Sequence, residues 1–265
     1  MIQDLSVDLI SLTSMILTYE PATPYLKRGT ILLSSDRASI LFALPVMINL
    51  LYLLDMNTFY EETSREFTPK EKGAIIFLNG ASSCGKSTIA KSLQIELAKN
   101  HDELFLHYAL DDFAHILTSR KPGVPKISEL DTTEIWQQIL YAFHLSIPKL
   151  TEAGNNIIID HVFHGKFWSK HIVENLIKSK VFFVGVHCPL KTLKQREMDR
   201  GDREIGLAEF HFNEAHRHSI YDFEVNTSRH TTDELVKMIV SAYQSTSPEQ
   251  YTGIKETYQN ILEST

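Results

Sequence analysis

A disulfide framework is excluded at the outset, because the 265 residues contain two cysteines, Cys84 and Cys188. Cys84 also lies inside a glycine-rich motif where a crosslink would be hard to accommodate, so a reducing, cytoplasmic setting is expected. Basic charge is short as well: 26 Lys and Arg against 33 Asp and Glu give a net charge of -7. That speaks against a general nucleic-acid binder, which shows a basic face. It leaves open a small anion held in a local nest of N–H groups. Met1 to Leu9 lacks a basic start and is interrupted by Asp4 and Asp8, so no leader peptide is expected. Nor does any apolar run reach the roughly 20 residues of a bilayer span. The longest, Ile40 to Leu54 (ILFALPVMINLLYLL), is broken by Pro45 and Asn49. It predicts a buried or docking helix, with peripheral membrane or protein contact through residues 40–54 as the alternatives. The 12 histidines include no pair with zinc spacing and a third ligand, so no metal cluster is expected from them.

What is present falls into two parts. Residues 1–71 read as a mainly helical N-terminal extension, beginning with helical spacing from Leu5 to Leu17 and ending in the charged connector Glu61 to Gly73. From residue 72 to 265 short apolar runs alternate with helical patterns. Ala74–Leu78, Leu104–Leu110, Asn156–Asp160, Val181–His187 and Asp222–Thr227 read as strands. Ser87–Asn100, Thr132–Thr151 and Thr232–Tyr243 read as helices, the last capped by Thr231 or Thr232. The fold class is therefore α/β, a parallel sheet with helices on both faces. Ligands of such sheets gather at the C-terminal ends of the strands, where every motif below falls.

The first motif is GASSCGKS: Gly80, Ala81, Ser82, Ser83, Cys84, Gly85, Lys86 and Ser87. It fits G-x-x-x-x-G-K-[ST] in full, directly after an apolar strand and directly before an amphipathic helix. Glycines let successive N–H groups turn inward onto phosphate oxygens, and the helix start adds its positive end. Lys86 is placed to reach the β- and γ-phosphates of a nucleoside triphosphate, and the Ser87 hydroxyl to ligate Mg²⁺. Cys84 reads as a small residue that fits the loop.

Carboxylates follow at the strand ends. Asp111, first after the second strand, is the expected base that takes the proton of an acceptor hydroxyl, with Asp112 as the alternative on the acceptor side. Asp160, closing the third strand, is expected to serve Mg²⁺ directly or through water. Helix capping is the competing explanation for each. Gln195 to Arg203 (QREMDRGDR) carries three guanidinium groups on a helix that breaks at Gly201. Arg196 is assigned to the nucleotide, and Arg200 and Arg203 to the charge that develops on the transferred phosphoryl group. A solvated helix with these arginines paired to Glu197, Asp199 and Asp202 is the competing explanation. His216 is expected to contact the acceptor or order the lid; the other histidines are expected on the surface or satisfied internally.

AIIFLNGASSCGKSTIAKSLQ, YALDDF, IIIDHVFHG, VFFVGVHCPL, REMDRGDREIGLA and EAHRHSIYDFEVNTS together resemble the chloramphenicol phosphotransferase family of P-loop kinases. The resemblance runs over about Ala74 to Val240 and leaves residues 1–70 outside it. It implies an ATP- and Mg²⁺-dependent kinase acting on a small-molecule hydroxyl. It places the base on Asp111, phosphate binding on Gly85, Lys86, Ser87 and Thr88, and a lid on Arg200 and Arg203. A protein or nucleotide-sugar acceptor, or a silent nucleotide-binding module, are the rival expectations.

Overall fold

The computed structural model describes the backbone of residues 5–8, 14–19, 29–34, 71–117, 132–201 and 205–264, with side chains over 71–114, 133–201 and 205–264. The apolar run 40–54 and Arg203 lie outside the described residues. The chain divides into two compact units, Met1–Thr68 and Pro69–Thr265.

In the first unit, β1 (Leu5–Asp8), β2 (Ser14–Tyr19) and β3 (Gly29–Ser34) form an antiparallel sheet in that order. This corrects the helix expected over Leu5 to Leu17, and with it the mainly helical character of the described part of the extension. SMILTY and GTILLS, the sequences of β2 and β3, pair along their whole length, Ser14 opposite Ser34 and Tyr19 opposite Gly29. Their Ile, Thr and Tyr content suits a pleated surface, and cross-strand pairing outweighs the local helical spacing.

The second unit is the expected α/β layer structure. Its strands are β4 (Ile75–Asn79), β5 (Phe105–Ala109), β6 (Asn156–His161), β7 (Val181–His187) and β8 (Phe223–Asn226), in spatial order β5-β6-β4-β7-β8. All four pairings are parallel. Every residue of β4 is buried, as a central strand with both faces covered requires. Alternation sends Ile76 and Leu78 to one face and Ile75 and Phe77 to the other. The first face packs on α1 (Lys86–Asn100) through Ile89, Leu93 and Leu97, and on α7 (Thr232–Ser245) through Leu235, Val236, Ile239 and Val240. The second packs on α3 (Thr132–Glu152), α4 (Lys166–Leu176) and α8 (Gly253–Glu263) through Phe143, Ile147, Ile172, Val173, Leu176, Ile254 and Ile261. Of the two capping candidates for α7, Thr231 is the cap: its hydroxyl accepts from the Glu234 N–H, and the Glu234 carboxylate accepts from the Thr231 N–H.

Among the described residues are also three shorter α-helices: α2 (Leu110–Leu117) directly after β5, α5 (Leu190–Arg200) after β7, and α6 (Leu207–Glu214). The register places Leu78 beside Asp160 and Asn79 beside His161. The ends of the two central strands thus present their polar residues at one edge. Asn79 ties that edge together. Its amide donates to the Ala215 carbonyl at 2.7 Å and to the Tyr221 hydroxyl at 2.7 Å, and its Oδ1 accepts from the Phe163 N–H at 2.9 Å.

Candidate active site

The turn from β4 into α1 forms the floor of the site. Gly80 sits against β7, where a Cβ would stand 2.3 Å from the Val186 carbonyl oxygen, so only glycine lets the loop lie this close. Gly85 caps α1 at φ 103, a left-handed conformation that turns the chain into the helix. The N–H groups of the first turn of α1 have no partners within the helix and carry its positive end. Lys86 is buried and folds back over the loop, donating to the carbonyls of Gly80 at 2.8 Å and Ala81 at 3.0 Å. The buried Ser83 hydroxyl oxygen has no hydrogen-bond partner, as suits a cradle built to be completed by an anion. Cys84 is fully buried and its thiol is pushed up by that burial, which rules out a ready thiolate and fits the sequence reading of a small packing residue.

Ser87 donates to Asp160 Oδ2 at 2.5 Å. Burial is the strongest single influence on Asp160 and opposes its charge. His107, the Lys86 ammonium and the Ser87 hydroxyl together overcome it and hold the carboxyl below the usual carboxylate range. His107 Nε2 stands 3.7 Å from Asp160 Oδ2 and has no hydrogen-bond partner. Two hard oxygen donors this close, beside a phosphate cradle, fit Mg²⁺, which takes few protein oxygens and keeps several waters.

Around this floor opens a cleft of about 1090 Å³. Its wall includes Ser82, Ser83, Gly85, Lys86, Ser87 and Thr88 of the loop and helix start, and Asp160 from β6. It also includes Asp111, Asp112, Arg196 and Arg200. The structure thus brings most of the sequence-derived site residues together. Asp111 and Asp112 are exposed in the first turn of α2, a helix the sequence reading did not resolve from the strand before it. Arg196 lies against the loop, donating to the Thr227 hydroxyl at 3.0 Å and to the Cys84 carbonyl at 3.3 Å, so it braces the cradle from the side. Arg200 ends α5, where Gly201 adopts the left-handed conformation at φ 62 and turns the chain away.

Two residues are placed differently from expectation. Glu197 has both carboxylate oxygens on backbone amides: they accept from the N–H groups of Gly206 at 2.9 Å and Ala208 at 2.7 Å. This buried carboxylate caps the N-terminus of α6. Replacing it with Ala leaves the buried Ala208 amide and the Gly206 amide without their charged acceptor. The expected loss is about 2–4 kcal/mol of stability, read as a lower denaturant midpoint at unchanged slope. His216 is absent from the cleft wall. It stacks on His187 with ring centres 4.1 Å apart and shares a hydrogen bond with the Tyr221 hydroxyl at 2.6 Å, which joins it to the Asn79 network. Burial, then the neighbouring His187 and Lys86, lower its pKa to about 4, so the ring stands neutral near pH 7.

Sequence reasoning also missed a file of imidazoles on the far side of β6. His144 of α3 is fully buried between His171 of α4 and His161 of β6, with ring nitrogens at 2.9 Å and 3.4 Å. No spacing rule links residues on three elements, so nothing local could have revealed it. Burial, followed by His171 and His164, lowers the His144 pKa to about 3. An unfolded histidine titrates near 6.5, so below that pH the unfolded chain binds a proton that the folded chain refuses. Stability from this group is full above about pH 6.5 and falls by about 1.4 kcal/mol per pH unit as pH drops towards 3. Between pH 7 and 5 the native protein should lose about 2 kcal/mol more than a His144→Phe variant, measured by denaturant unfolding at each pH.

Among the described residues no helix is long and apolar enough to cross a membrane. Comparison with known proteins agrees with the geometry. Residues 73–244 match the family described as chloramphenicol phosphotransferase-like protein. Two Mycobacterium tuberculosis proteins, from strains CDC 1551 and H37Rv, carry O-phosphotransferase as a provisional name. Each is 27% identical over 192 residues, covering 66% of this chain and 84% of the relative. The solved APS kinase CysC of Mycobacterium tuberculosis, in complex with AMPPNP and APS, superposes with a TM-score of 0.51 at 14% identity over 66% of this chain and 99% of that one. The solved chain APE1195 does so with a TM-score of 0.51 at 16% identity, over 67% and 98%. At these identities the two structures speak for the fold alone, a P-loop kinase fold. With its sequence matching over residues 73–244, the chain belongs to the chloramphenicol phosphotransferase-like family and is a P-loop phosphotransferase.

Proposed function

We propose that the protein transfers the γ-phosphoryl group of ATP to a hydroxyl of a small-molecule acceptor. The observation that carries the reading is the meeting of Lys86, Ser87, Asp160 and Asp111 on the wall of one cleft at the C-terminal edge of the sheet. A nucleotide-binding module that only assembles has no need of a carboxylate set apart from the phosphate cradle.

In this mechanism the loop from Gly80 to Ser87, with Thr88, holds the triphosphate through backbone N–H groups, and Lys86 swings from its two carbonyls onto the β- and γ-phosphates. Ser87 and Asp160 hold Mg²⁺, which when bound neutralises phosphate charge and orients the γ-phosphoryl group. Asp111 accepts the proton of the acceptor hydroxyl as its oxygen attacks, with Asp112 beside it as the second candidate. Arg200 stabilises the charge spread over the γ-oxygens, and Arg203, outside the described residues, is assigned the same task. Arg196 keeps the loop in register for the nucleotide.

Release of ADP from Mg-ATP, followed with and without chloramphenicol and with fractions of a metabolite extract, tests the reading, Lys86→Ala serving as the blank. Release that depends on one added compound supports it. ATP binding with no acceptor-dependent release, or phosphate appearing on a protein or a nucleotide sugar, would replace it with one of the rival readings.

A further inference from the structure

His161 closes β6 next to Asp160, is 3% exposed, and forms part of the cleft wall. Its Nε2 lies 3.4 Å from Nε2 of His144, while its Nδ1 is buried without a hydrogen-bond partner. The rings of Phe77 and Phe143 stand 6.4 Å and 5.4 Å from it, so two of its neighbours offer no donor or acceptor. A buried imidazole nitrogen with nothing to bond is rare in a folded protein, and in a cleft wall a ligand is the natural partner.

Behind it the file continues. His144 has one ring nitrogen on His161 and the other, Nδ1, 2.9 Å from Nδ1 of His171. His171 is half-buried beside an outer groove that includes Tyr141 and Trp168, and it stacks on Tyr141 with ring centres 4.8 Å apart. A neutral imidazole carries one N–H and one bare nitrogen. The file therefore has two self-consistent arrangements. In one, His161 donates to His144 and His144 to His171, leaving His161 Nδ1 bare towards its partner. In the other every bond is reversed and Nδ1 carries the proton.

We infer that His161 Nδ1 binds a hydroxyl or amide group of the acceptor, and that His144 and His171 are positioning residues that fix which tautomer His161 presents. This rests on the phosphotransferase reading and extends it from the phosphate side of the cleft to the acceptor side. An uncharged group is the fitting partner, because the nitrogen is buried beside the rings of Phe77 and Phe143, where an added charge would be costly to strip of water. A polar group built to meet one substrate group also discriminates against analogues that lack it.

Asparagine and glutamine separate the two sides of the ring, since the Asn amide reaches about where Nδ1 lies and the Gln amide about where Nε2 lies. His161→Asn should keep the acceptor KM within about threefold, whereas His161→Gln should raise it by about tenfold or more, with the KM for ATP unchanged in both. The second readout is nitrogen NMR of the full-length protein with labelled histidines, adding chloramphenicol, glucose and myo-inositol in turn. A probe that binds should move His161 Nδ1 and, through the file, the nitrogens of His171, which it does not touch. Glutamine tolerated and asparagine not, equal KM rises in both, or no shift of His161 with any probe would overturn the inference. If neither these probes nor any fraction of a metabolite extract takes phosphate from the parent protein, the functional reading fails by that result, and the NMR shifts still decide the place of His161.

Discussion

Lys86→Ala is expected to lower the rate of phosphoryl transfer by about 10³-fold while leaving a folded protein. Lys86 is the single ammonium within the loop, 6% exposed, and rests on the Gly80 and Ala81 carbonyls at 2.8 Å and 3.0 Å, from which it swings onto the phosphates. Alanine removes a charge that the loose transition state needs on its bridging and γ-oxygens. The fold should tolerate it, because the apolar face of α1 rests on Ile89, Leu93 and Leu97, which the change does not touch. Rapid-quench single turnover at saturating Mg-ATP reads the rate, and a melting curve confirms the fold. A variant that melts normally and turns over as the parent does would take the loop out of the chemistry.

The next largest effect is expected from Asp111→Asn, a fall of about 10²–10⁴-fold in kcat with the affinity for ATP unchanged. Asparagine keeps the shape and still accepts a hydrogen bond, so what it removes is the negative charge and with it proton uptake. Asp111 lies in the first turn of α2, on the cleft wall and outside the phosphate loop. The split between lost turnover and retained binding, measured by ATP titration beside steady-state rates, is the signature of a base. Retained turnover in this variant with loss in Asp112→Asn would move the role one residue along.

How well the sequence reported these features follows from how local each one is. Val181–His187 is read to the residue, because a fully apolar run in a central strand has sharp ends. The phosphate loop is equally plain, since its glycines, lysine and serine are contiguous and each has a separate chemical task. Leu5–Asp8 and Ser14–Tyr19 went the other way: their apolar spacing suits a helix, yet the first pairs with the second and the second with Gly29–Ser34, contacts that local spacing does not announce. α2 was hidden because LFLHYAL continues one apolar pattern across Ala109 and Leu110, where strand becomes helix without a turn residue. Glu197 reads as one charge among many in QREMDRGDR, yet in the fold it is a buried cap for amides nine and eleven residues on. Asn79, His107, His144 and His161 owe their places to neighbours on other elements, and a linear pattern carries no trace of that.

The central claim, transfer of the γ-phosphoryl group to an alcohol, is tested most directly by phosphorus NMR of Mg-ATP incubated with the protein and chloramphenicol, or with the compound that triggers ADP release. The expected result is a new phosphomonoester signal that grows in step with ADP and is missing with Lys86→Ala. Inorganic phosphate appearing alone, or ATP bound and unchanged whatever hydroxyl is offered, would contradict it.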